Sequence, residues 1–562
     1  MRRESAIGPK AIWPPLLIVL AVAAIGAWVR WLIATGEFLW LDELHTSWSV
    51  ADSLGEVYER SLSGNQTPLY FWLTWLSVAV LGESEFSLRL VSLIAGVATI
   101  VAAAWLVLRW TGSTIAAVVA AILISLDVQF IYYATEARPY ALIQFLGIIQ
   151  VALFWRLISS GDSGGDLESG QAQPAEVASG AAGGGWRWLG LSLVTALLFY
   201  TQVTSAWLFL AEAVFVVGLL MAGAADIGKR FKHLLLSAVV AAVLCAAALP
   251  GLSQLAGRRS NWSSVSSVPD LLAQQSLPLG VWLLLPALAL LIAVLSRSGA
   301  GDSVGSDQPI WNRRWNPRRN RRLGFVLLWA LLPIVGVVAL DWFKIAPMAL
   351  VRYTLVGAVA MPIFAGLVIG FVDMPKIRLV LAIALIAVSM IGSPITAGKF
   401  VSSGFDPSEL PGLRWEDWQS PINEINASQA KRNHPVLLAA NLIEDVDALE
   451  NSDAEFQAYL RFPVGGFYRV ENQTPSNADE TVAREIIAIP TLLREHTRPS
   501  DIEKIKNSGG AWLIVRGTEE LAFEIENEVV RKMASQYPDA EPLKSVGFAS
   551  PHSHVYLISF DW

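Results

Sequence analysis

The sequence describes a protein that lies mostly in lipid. Of its 562 residues, 54% are hydrophobic and only 16% are charged, and the mean hydropathy is +0.48. Soluble domains carry about 25% charged residues, so a wholly soluble protein is excluded. The net charge of -7 gives no reason to expect a nucleic-acid partner. The single cysteine, Cys245, lies in an apolar run, which excludes a disulfide framework and a cysteine metal site.

Eleven apolar runs are long enough to cross a bilayer, which takes about 20 residues per helix. They lie near residues 12–34, 88–108, 112–131, 138–156, 187–201, 203–222, 233–252, 276–296, 323–341, 350–372 and 377–397. The first run follows Arg2 and Arg3 but is too long for the core of a signal peptide, so it predicts a retained anchor. Pro68–Leu81 has only 14 residues and favours a helix lying in the membrane interface.

The distribution of lysine and arginine predicts the topology. With eleven spans, 18 of these residues fall on the side of the N-terminus and 8 fall on the opposite side. Cytoplasmic loops carry the excess of positive charge, so we expect a cytoplasmic N-terminus in a plasma or inner membrane. The longest cytoplasmic loops are then a Gly- and Ser-rich connector, Ser159–Gly185, and a basic anchor, Arg297–Arg322.

The composition divides the chain into a transmembrane domain, residues 1–400, and a soluble domain, residues 401–562. Strands and helices alternate in the second part, which favours a small α/β domain. The predicted strands are Val436–Asn441, Ala511–Arg516 and Val555–Phe560, and the predicted helices are Asp501–Asn507 and Glu519–Gln536. The odd number of spans places this domain outside the cytoplasm. It shows no motif for phosphate, metal or nucleophile chemistry, and His552 and His554 are typical of loop residues.

The first predicted outer loop, residues 35–87, holds two adjacent carboxylates. Asp42 and Glu43 follow the first span directly, and His45 comes two residues later. Acids near the headgroups must be paired or hydrated. Two interpretations stay open, because the acids are either catalytic or cap a helix. Partial desolvation predicts a raised pKa for such a carboxylate, toward the range of a general base.

Isolated arginines on the predicted outer side indicate an anion site. Arg138 lies in the second outer loop, residues 127–140, and Arg352 lies in a later loop. Arginine binds phosphate through two parallel hydrogen bonds. An acidic loop beside such arginines favours a substrate with an anionic headgroup on a lipid tail, and a neutral nucleophile that needs a base. For Arg89, Arg258 and Arg259 we expect side chains that only extend to the membrane interface.

Five segments in chain order resemble the GT-C glycosyltransferases, above all bacterial relatives of protein O-mannosyltransferases and lipid A aminoarabinose transferases. They are Asp42-Glu43, Thr67–Tyr70, Gly82–Leu90, Tyr133–Tyr140 and Arg352-Tyr353. The resemblance covers residues 12–400. It implies a polytopic α-helical membrane protein of about 11 transmembrane helices with a C-terminal soluble α/β domain. It also implies a hexosyl or pentosyl transferase that moves a sugar from a polyprenyl-phosphate carrier, with inversion, to an extracytoplasmic protein, lipid or glycan.

The resemblance implies roles for single residues as well. Asp42 would be the base that activates the acceptor, and Glu43 would orient the acceptor or the base. The substrate-binding residues would be Tyr70, Glu136, Arg138, Tyr140, Gln202, Arg352 and Tyr353. Thr67 departs from the lysine or histidine of many relatives, and Gln202 stands where many have histidine. Some branches use a divalent metal at the acidic loop and others do not, so metal use stays open.

A transporter or flippase of lipid-linked saccharides is the alternative function, because it would bind the same headgroup without chemistry. Such a protein is expected to show paired repeats and helices broken near the midplane. The sequence shows no internal repeat, and its unusual polar residues lie at one predicted surface. A sensor would need a cytoplasmic output domain, which the predicted topology does not provide.

Overall fold

The computed structural model describes residues 9–64, 66–159, 187–248, 268–273, 275, 277, 279–298, 317–346, 349–372, 374–391, 416–428, 431, 433–442, 453–471, 484–491, 496–536, 544–549 and 554–561. Some sequence predictions fall outside these residues. They concern the connector 160–186, Arg258 and Arg259, most of the basic loop before Arg322, the domain boundary at residue 400, and His552.

The first part of the chain is helical, because within lipid a helix satisfies every backbone donor and acceptor internally. The α-helices are α1 (Pro9–Gly36), α2 (Leu41–Val50), α3 (Leu54–Ser63), α4 (Leu69–Leu81), α5 (Glu85–Thr111), α6 (Thr114–Leu126), α7 (Val128–Ala134), α8 (Tyr140–Ser159), α9 (Arg187–Thr201), α10 (Ala206–Met221), α11 (Ala225–Cys245), α12 (Val268–Ala273), α13 (Leu279–Ser298), α14 (Pro317–Trp342), α15 (Leu355–Ala358), α16 (Ala360–Gly370) and α17 (Pro375–Ile391). Short 3-10 helices are found at Val203–Ser205, Ala246–Ala248 and Val351–Tyr353.

Each of the eleven apolar runs overlaps at least one of these helices. Among the described residues, six helices are long and apolar enough to cross a membrane, and the bent pair α6 and α7 gives a seventh. The six are Leu16–Gly36, Glu85–Thr111, Tyr140–Ser159, Val203–Met221, Arg230–Ala248 and Arg319–Trp342. The predicted class of polytopic helical membrane protein is confirmed, and the count of eleven spans stays a prediction. Helix α4 is as short as the sequence indicated, and its place in the interface also stays a prediction.

Helix α5 is the centre of the bundle and packs against α1, α4, α6 and α8. Gly96 allows α7 to cross it closely, since a Cβ there would lie 2.4 Å from the Cβ of Ala134. The chain after α7 is therefore held at the end of the bundle where α5 begins. This places residues 135–139, in the predicted second outer loop, beside helix α2.

The 63° bend between α6 and α7 is stabilised by two charged side chains. Asp127 accepts hydrogen bonds from the backbone N–H groups of Gln129 and Phe130, at 3.0 and 3.4 Å. Arg30, which is fully buried, donates to the carbonyl oxygens of Ile124 and Ser125, at 2.9 and 3.1 Å. Backbone groups at helix ends lack partners within the helix, and here the side chains of Asp127 and Arg30 supply them.

The C-terminal domain is built on a five-stranded sheet with the order β2-β1-β3-β5-β4. Strands β1, β2 and β3 are parallel to one another, whereas β5 runs antiparallel to both β3 and β4. The strands are β1 (Val436–Ala439), β2 (Ile486–Ala488), β3 (Gly510–Arg516), β4 (Lys544–Ala549) and β5 (Val555–Asp561), and the α-helices are α18 (Gln419–Ala427), α19 (Ala454–Leu460), α20 (Phe462–Gly465), α21 (Pro499–Asn507) and α22 (Glu519–Gln536). The α/β prediction is confirmed.

The sheet has two covered faces. Helices α21 and α22 bury one face through Ile505 and Val529, among other residues. The opposite face shares an apolar cluster with the helices of residues 35–87, in which Ile514 and Leu438 join Leu44 and Phe71. The domain therefore sits on α2, at the same end of the bundle as Asp42.

The predicted topology can be tested with two reporters. A periplasmic or exterior reporter fused after Trp562 should be active, and the same reporter inserted between Ser159 and Gly185 should be inactive, because positive charge keeps the second site cytoplasmic. Alkaline phosphatase activity in whole cells measures both. Activity at both positions would contradict the eleven-span topology, which places seven spans between the two sites.

Candidate functional site

Helix α2 carries the two adjacent acids in its first turn, where the helix macrodipole favours negative charge. Trp40 precedes the helix and has no side-chain oxygen that could accept a hydrogen bond from the first N–H groups. Successive residues of a helix point about 100° apart. Asp42 and Glu43 therefore meet different surroundings although they are neighbours in the sequence.

Glu43 forms a buried ion pair with Arg89 of α5, which we call the carboxylate clamp. Both side chains are 0% exposed. Arg89 Nε lies 2.7 Å from Glu43 Oε1, and Arg89 Nη2 lies 2.6 Å from Glu43 Oε2. Glu43 Oε1 also accepts a hydrogen bond of 2.7 Å from the backbone N–H of Ala137. The clamp thus joins α2, α5 and the segment between α7 and α8.

Arg89 also donates to backbone carbonyl oxygens at the end of α1 and just after it. These are the oxygens of Ala34, Glu37 and Phe38, at 2.6, 2.9 and 3.0 Å. The prediction that Arg89 only extends to the membrane interface is wrong, because its guanidinium is enclosed by these partners. Glu43 is equally enclosed, so it can orient its neighbour Asp42 but has no open surface for substrate.

Asp42 faces two arginines, and we call these three residues the Asp42 cluster. Asp42 Oδ2 lies 3.5 Å from Arg138 Nη2 and 3.6 Å from Arg352 Nη1. The exposed fractions of the side chains are 24% for Asp42, 4% for Arg138 and 34% for Arg352. Arg138 Nη1 also donates to the backbone oxygen of Asp42 at 3.2 Å. The structure thus brings together three predicted site residues from three distant segments, each with a different degree of exposure.

The pKa of Asp42 is lowered from its ordinary value. Burial alone raises this pKa, but the positive charges of Arg138, Arg352 and Arg516, together with His45, outweigh it. The prediction of a raised pKa is therefore wrong for this arrangement. The sequence indicates the desolvation of Asp42 but not the nearby guanidinium groups, whose charge lowers the pKa.

Buried polar side chains donate hydrogen bonds to the backbone of both arginines. The Tyr70 hydroxyl lies 2.9 Å from Ser92 Oγ, which donates to the carbonyl oxygen of Arg138 at 2.9 Å. Gln202 Nε2 donates to the carbonyl oxygen of Arg352 at 3.3 Å. Because Tyr70 is fully buried, we assign it a supporting role instead of the predicted substrate contact.

The other predicted binding residues surround the same cluster. The Arg352 guanidinium lies over the ring of Tyr353, 5.4 Å from its centroid. Tyr140 is buried, and its ring packs edge-on against Tyr133 at 5.0 Å. Glu136 is also buried, and its carbonyl oxygen accepts the N–H of Arg138 at 2.8 Å. These contacts fix the loop that carries Arg138.

His45 has a structural environment that the sequence did not reveal. Its ring is buried and packs against Trp48, Phe71, Tyr459 and Phe462, with centroid distances between 5.4 and 6.0 Å. Burial, followed by the charge of Arg138, lowers its pKa to about 3. A neutral imidazole at all ordinary pH values fits an anchor in an aromatic cluster better than a titrating group.

Asp42 and Glu43 do not fit a divalent metal. In the described part of the chain, no group of three or more His, Cys, Asp or Glu side chains is placed to hold one. Glu43 already accepts from Arg89 and the N–H of Ala137, and Asp42 faces two cations. A divalent ion at Asp42 would be repelled by the same arginines.

One sequence family matches part of the chain. Residues 65–164 match the profile of the dolichyl-phosphate-mannose-protein mannosyltransferases, a segment that includes Arg89 and Arg138. A comparison with curated proteins gives no match.

Solved structures are similar over nearly the whole chain. ArnT from Cupriavidus metallidurans bound to undecaprenyl phosphate has a TM-score of 0.53 and 13% identity, with 97% of each chain covered. The apo form of the same protein has a TM-score of 0.51 and 14% identity, also with 97% of each chain covered. The Archaeoglobus fulgidus oligosaccharyltransferase tethered with an acceptor peptide has a TM-score of 0.50 and 11% identity. The match covers 97% of this chain and 74% of that chain. The chain has the fold of these solved structures, and this likeness together with the family match bears out the predicted resemblance to GT-C glycosyltransferases.

The carboxylate clamp should dominate the stability of this end of the bundle. Replacing Arg89 by Met leaves Glu43 buried without its counter-ion, which costs about 3–5 kcal/mol. The matched control is Lys504→Met, because Lys504 and Glu485 form an exposed pair with side chains 47% and 48% exposed, worth about 1 kcal/mol at most. Thermal unfolding of the purified protein should show a large decrease in Tm for Arg89→Met only. Equal decreases would contradict the clamp.

Proposed function

We propose that this chain, which has the GT-C fold, is a membrane glycosyltransferase that uses a polyprenyl-phosphate-linked sugar. It transfers a hexosyl or pentosyl group, with inversion, to an acceptor outside the cytoplasm. The observation that carries the proposal is the Asp42 cluster, in which one partly exposed carboxylate faces two arginines. The similar ArnT structure was solved with undecaprenyl phosphate, and that lipid belongs to the class of carrier proposed for this chain.

The two kinds of side chain in the cluster match the two halves of the reaction. Asp42 accepts the proton from the acceptor hydroxyl or amine while that group bonds to the anomeric carbon of the sugar. The bond from the anomeric carbon to the phosphate oxygen breaks, and its electron pair remains on the polyprenyl phosphate. Arg138 and Arg352 stabilise the charge that develops there, as positioned donors do in a water-poor site. Attack opposite to the leaving phosphate inverts the anomeric centre.

Donor binding changes the basicity of Asp42. In the structure the base and both arginines are paired with one another, at 3.5 and 3.6 Å. A phosphate has the same sign of charge as the carboxylate and competes with it for the guanidinium groups. Once the phosphate neutralises these cations, the main cause of the lowered Asp42 pKa is removed. The base therefore becomes stronger when the donor is in place.

Asp42→Asn keeps the size of the side chain but removes the basic oxygen. Loss of a general base lowers turnover by about 10²–10⁴-fold, so sugar transfer by the purified variant should fall in that range. Binding of undecaprenyl phosphate should be kept or become tighter, because Asp42 no longer competes for the arginines. Both quantities are measured on the same preparation, by radiolabelled transfer and by native mass spectrometry.

The control for Asp42→Asn is Asp52→Asn. Asp52 lies in the same segment, its side chain is 56% exposed and it pairs with Arg60, so transfer should stay near the wild-type rate. If Asp42 only caps α2, its variant would unfold more easily but turn over normally. Normal transfer by folded Asp42→Asn protein would remove this residue from the mechanism and favour a transporter of lipid-linked saccharides.

Arg352→Ala and Arg138→Ala should weaken the binding of undecaprenyl phosphate. A hydrogen-bonded charge contributes about 1.5–3 kcal/mol, which corresponds to about a 10- to 100-fold increase in Kd. Lysine at either position should restore little of the affinity for undecaprenyl phosphate, because it lacks the planar fork of donors. Arg60→Ala is the matched control, since Arg60 pairs with exposed acids of the same segment. Unchanged Kd in both variants would exclude these arginines from the donor site.

A comparison of cells with and without the gene would identify the transferred sugar and its acceptor. Mass spectrometry of envelope glycans, glycolipids and glycoproteins would show which glycan loses one residue. The intact donor would accumulate in the same cells if transfer is the missing step.

A further inference from the structure

Glu416 of the C-terminal domain reaches across to the helix that carries Asp42. Its Oε2 accepts a hydrogen bond of 2.9 Å from the backbone N–H of Leu41, the first residue of α2. The same oxygen accepts from Trp418 Nε1 at 3.0 Å. The first N–H groups of a helix have no acceptor within the helix, and Trp40 cannot supply one. The carboxylate of Glu416, 375 residues away in the sequence, therefore accepts the N–H of Leu41.

Arg516 holds Glu416 in that position. Arg516 Nε and Nη2 both lie 2.8 Å from Glu416 Oε1. Arg516 ends the central strand β3, so the sheet fixes its location. The exposed fractions are 9% for the Glu416 side chain and 21% for the Arg516 side chain, and such shielding from water strengthens an ion pair of good geometry.

Two further contacts fix the same part of the chain. The Tyr468 hydroxyl accepts from the N–H of Leu39 at 3.2 Å and lies 3.3 Å from Glu85 Oε1. Further along α2, the ring of Trp48 packs against Tyr459 and Phe462 at 5.8 and 6.2 Å. The C-terminal domain therefore holds α2 near both ends.

The charge of Arg516 also acts on Asp42 without contact. The charged and titratable groups that act on the Asp42 carboxylate come from four parts of the fold: Arg138 before α8, Arg352 before α15, Arg516 in β3 and His45 in α2 itself. The field of Asp42 also acts on Tyr140 in α8. Since His45 stays neutral at ordinary pH, Arg516 is the third cation, after the two arginines that pair with the carboxylate.

We propose that Glu416 and Arg516 make the C-terminal domain part of the catalytic unit, as positioning residues that fix the first turn of α2 and the charge around Asp42. The inference rests on the proposed role of Asp42 as the base. Neither residue touches the donor or the reacting atoms. Removal of either one should change turnover and its pH dependence while the affinity for the lipid phosphate is kept.

The test uses full-length Glu416→Ala, Arg516→Gln and Arg516→Lys. Hydrogen–deuterium exchange of the peptide covering residues 38–50 should become about 2- to 30-fold faster in Glu416→Ala, the range expected for a lost cap. The acidic limb of the kcat/KM profile should move to higher pH in Arg516→Gln, because removal of a cation raises the Asp42 pKa. Arg516→Lys keeps the positive charge, so the acidic limb of its kcat/KM profile should lie at the same pH as in the wild type. The Kd of undecaprenyl phosphate should stay unchanged in all three variants.

Lys504→Gln, at the exposed pair of the same domain, is the control and should match the wild type in every measurement. A higher Kd in Arg516→Gln would make Arg516 a donor-binding residue and overturn the inference. Faster exchange without a change in kcat or pH profile would also overturn it, because the contact would then serve docking alone. A wild-type protein that transfers no sugar refutes the proposed function, and the exchange measurement still shows whether Glu416 fixes α2.

Discussion

The buried ion pair between Glu43 and Arg89 is the interaction on which the candidate site depends. Two fully buried charges each lose several kcal/mol of hydration, and this loss is offset only where the remaining hydrogen-bonding positions are filled. Here Arg89 donates to three backbone carbonyls near the end of α1, and Glu43 accepts the N–H of Ala137. The pair therefore fixes α1, α2, α5 and the loop of Arg138 relative to one another, and Asp42 faces Arg138 as a result.

Much of the fold could be predicted because it depends on local patterns. Apolar runs of about 20 residues predict membrane helices, and β1, β3 and β5 consist mostly of apolar residues. Strand β2 was missed because it has only three residues, Ile486–Ala488, and strand β4 because Gly547 interrupts a mixed sequence. Both strands owe their conformation to pairing with neighbours, which no local pattern records.

The candidate site could be predicted only as a set of residues. The unusual chemistry of Asp42, Arg138 and Arg352 indicates a site, and the fold brings the Asp42 carboxylate within 3.6 Å of each guanidinium. The sequence predicts neither the enclosed position of Arg89 nor the lowered pKa of Asp42, and both failures have the same cause. Each depends on partners from other segments, and an isolated residue near lipid is described by its desolvation alone. Glu416 and Arg516 left no signal, because Glu416 contacts α2 from a distant part of the chain and Arg516 acts through Glu416.

The two adjacent acids have different surroundings, so the choice between a catalytic and a capping role has to be considered for each residue separately. Neighbouring side chains in the first turn of a helix point about 100° apart, so one can enter the protein while the other faces a cleft. Glu43 enters and is fully paired, whereas Asp42 stays partly exposed opposite two arginines. The macrodipole of α2 favours both charges at this end, which reduces their mutual repulsion. An adjacent acid pair is thus a way to fix one carboxylate by burying the other.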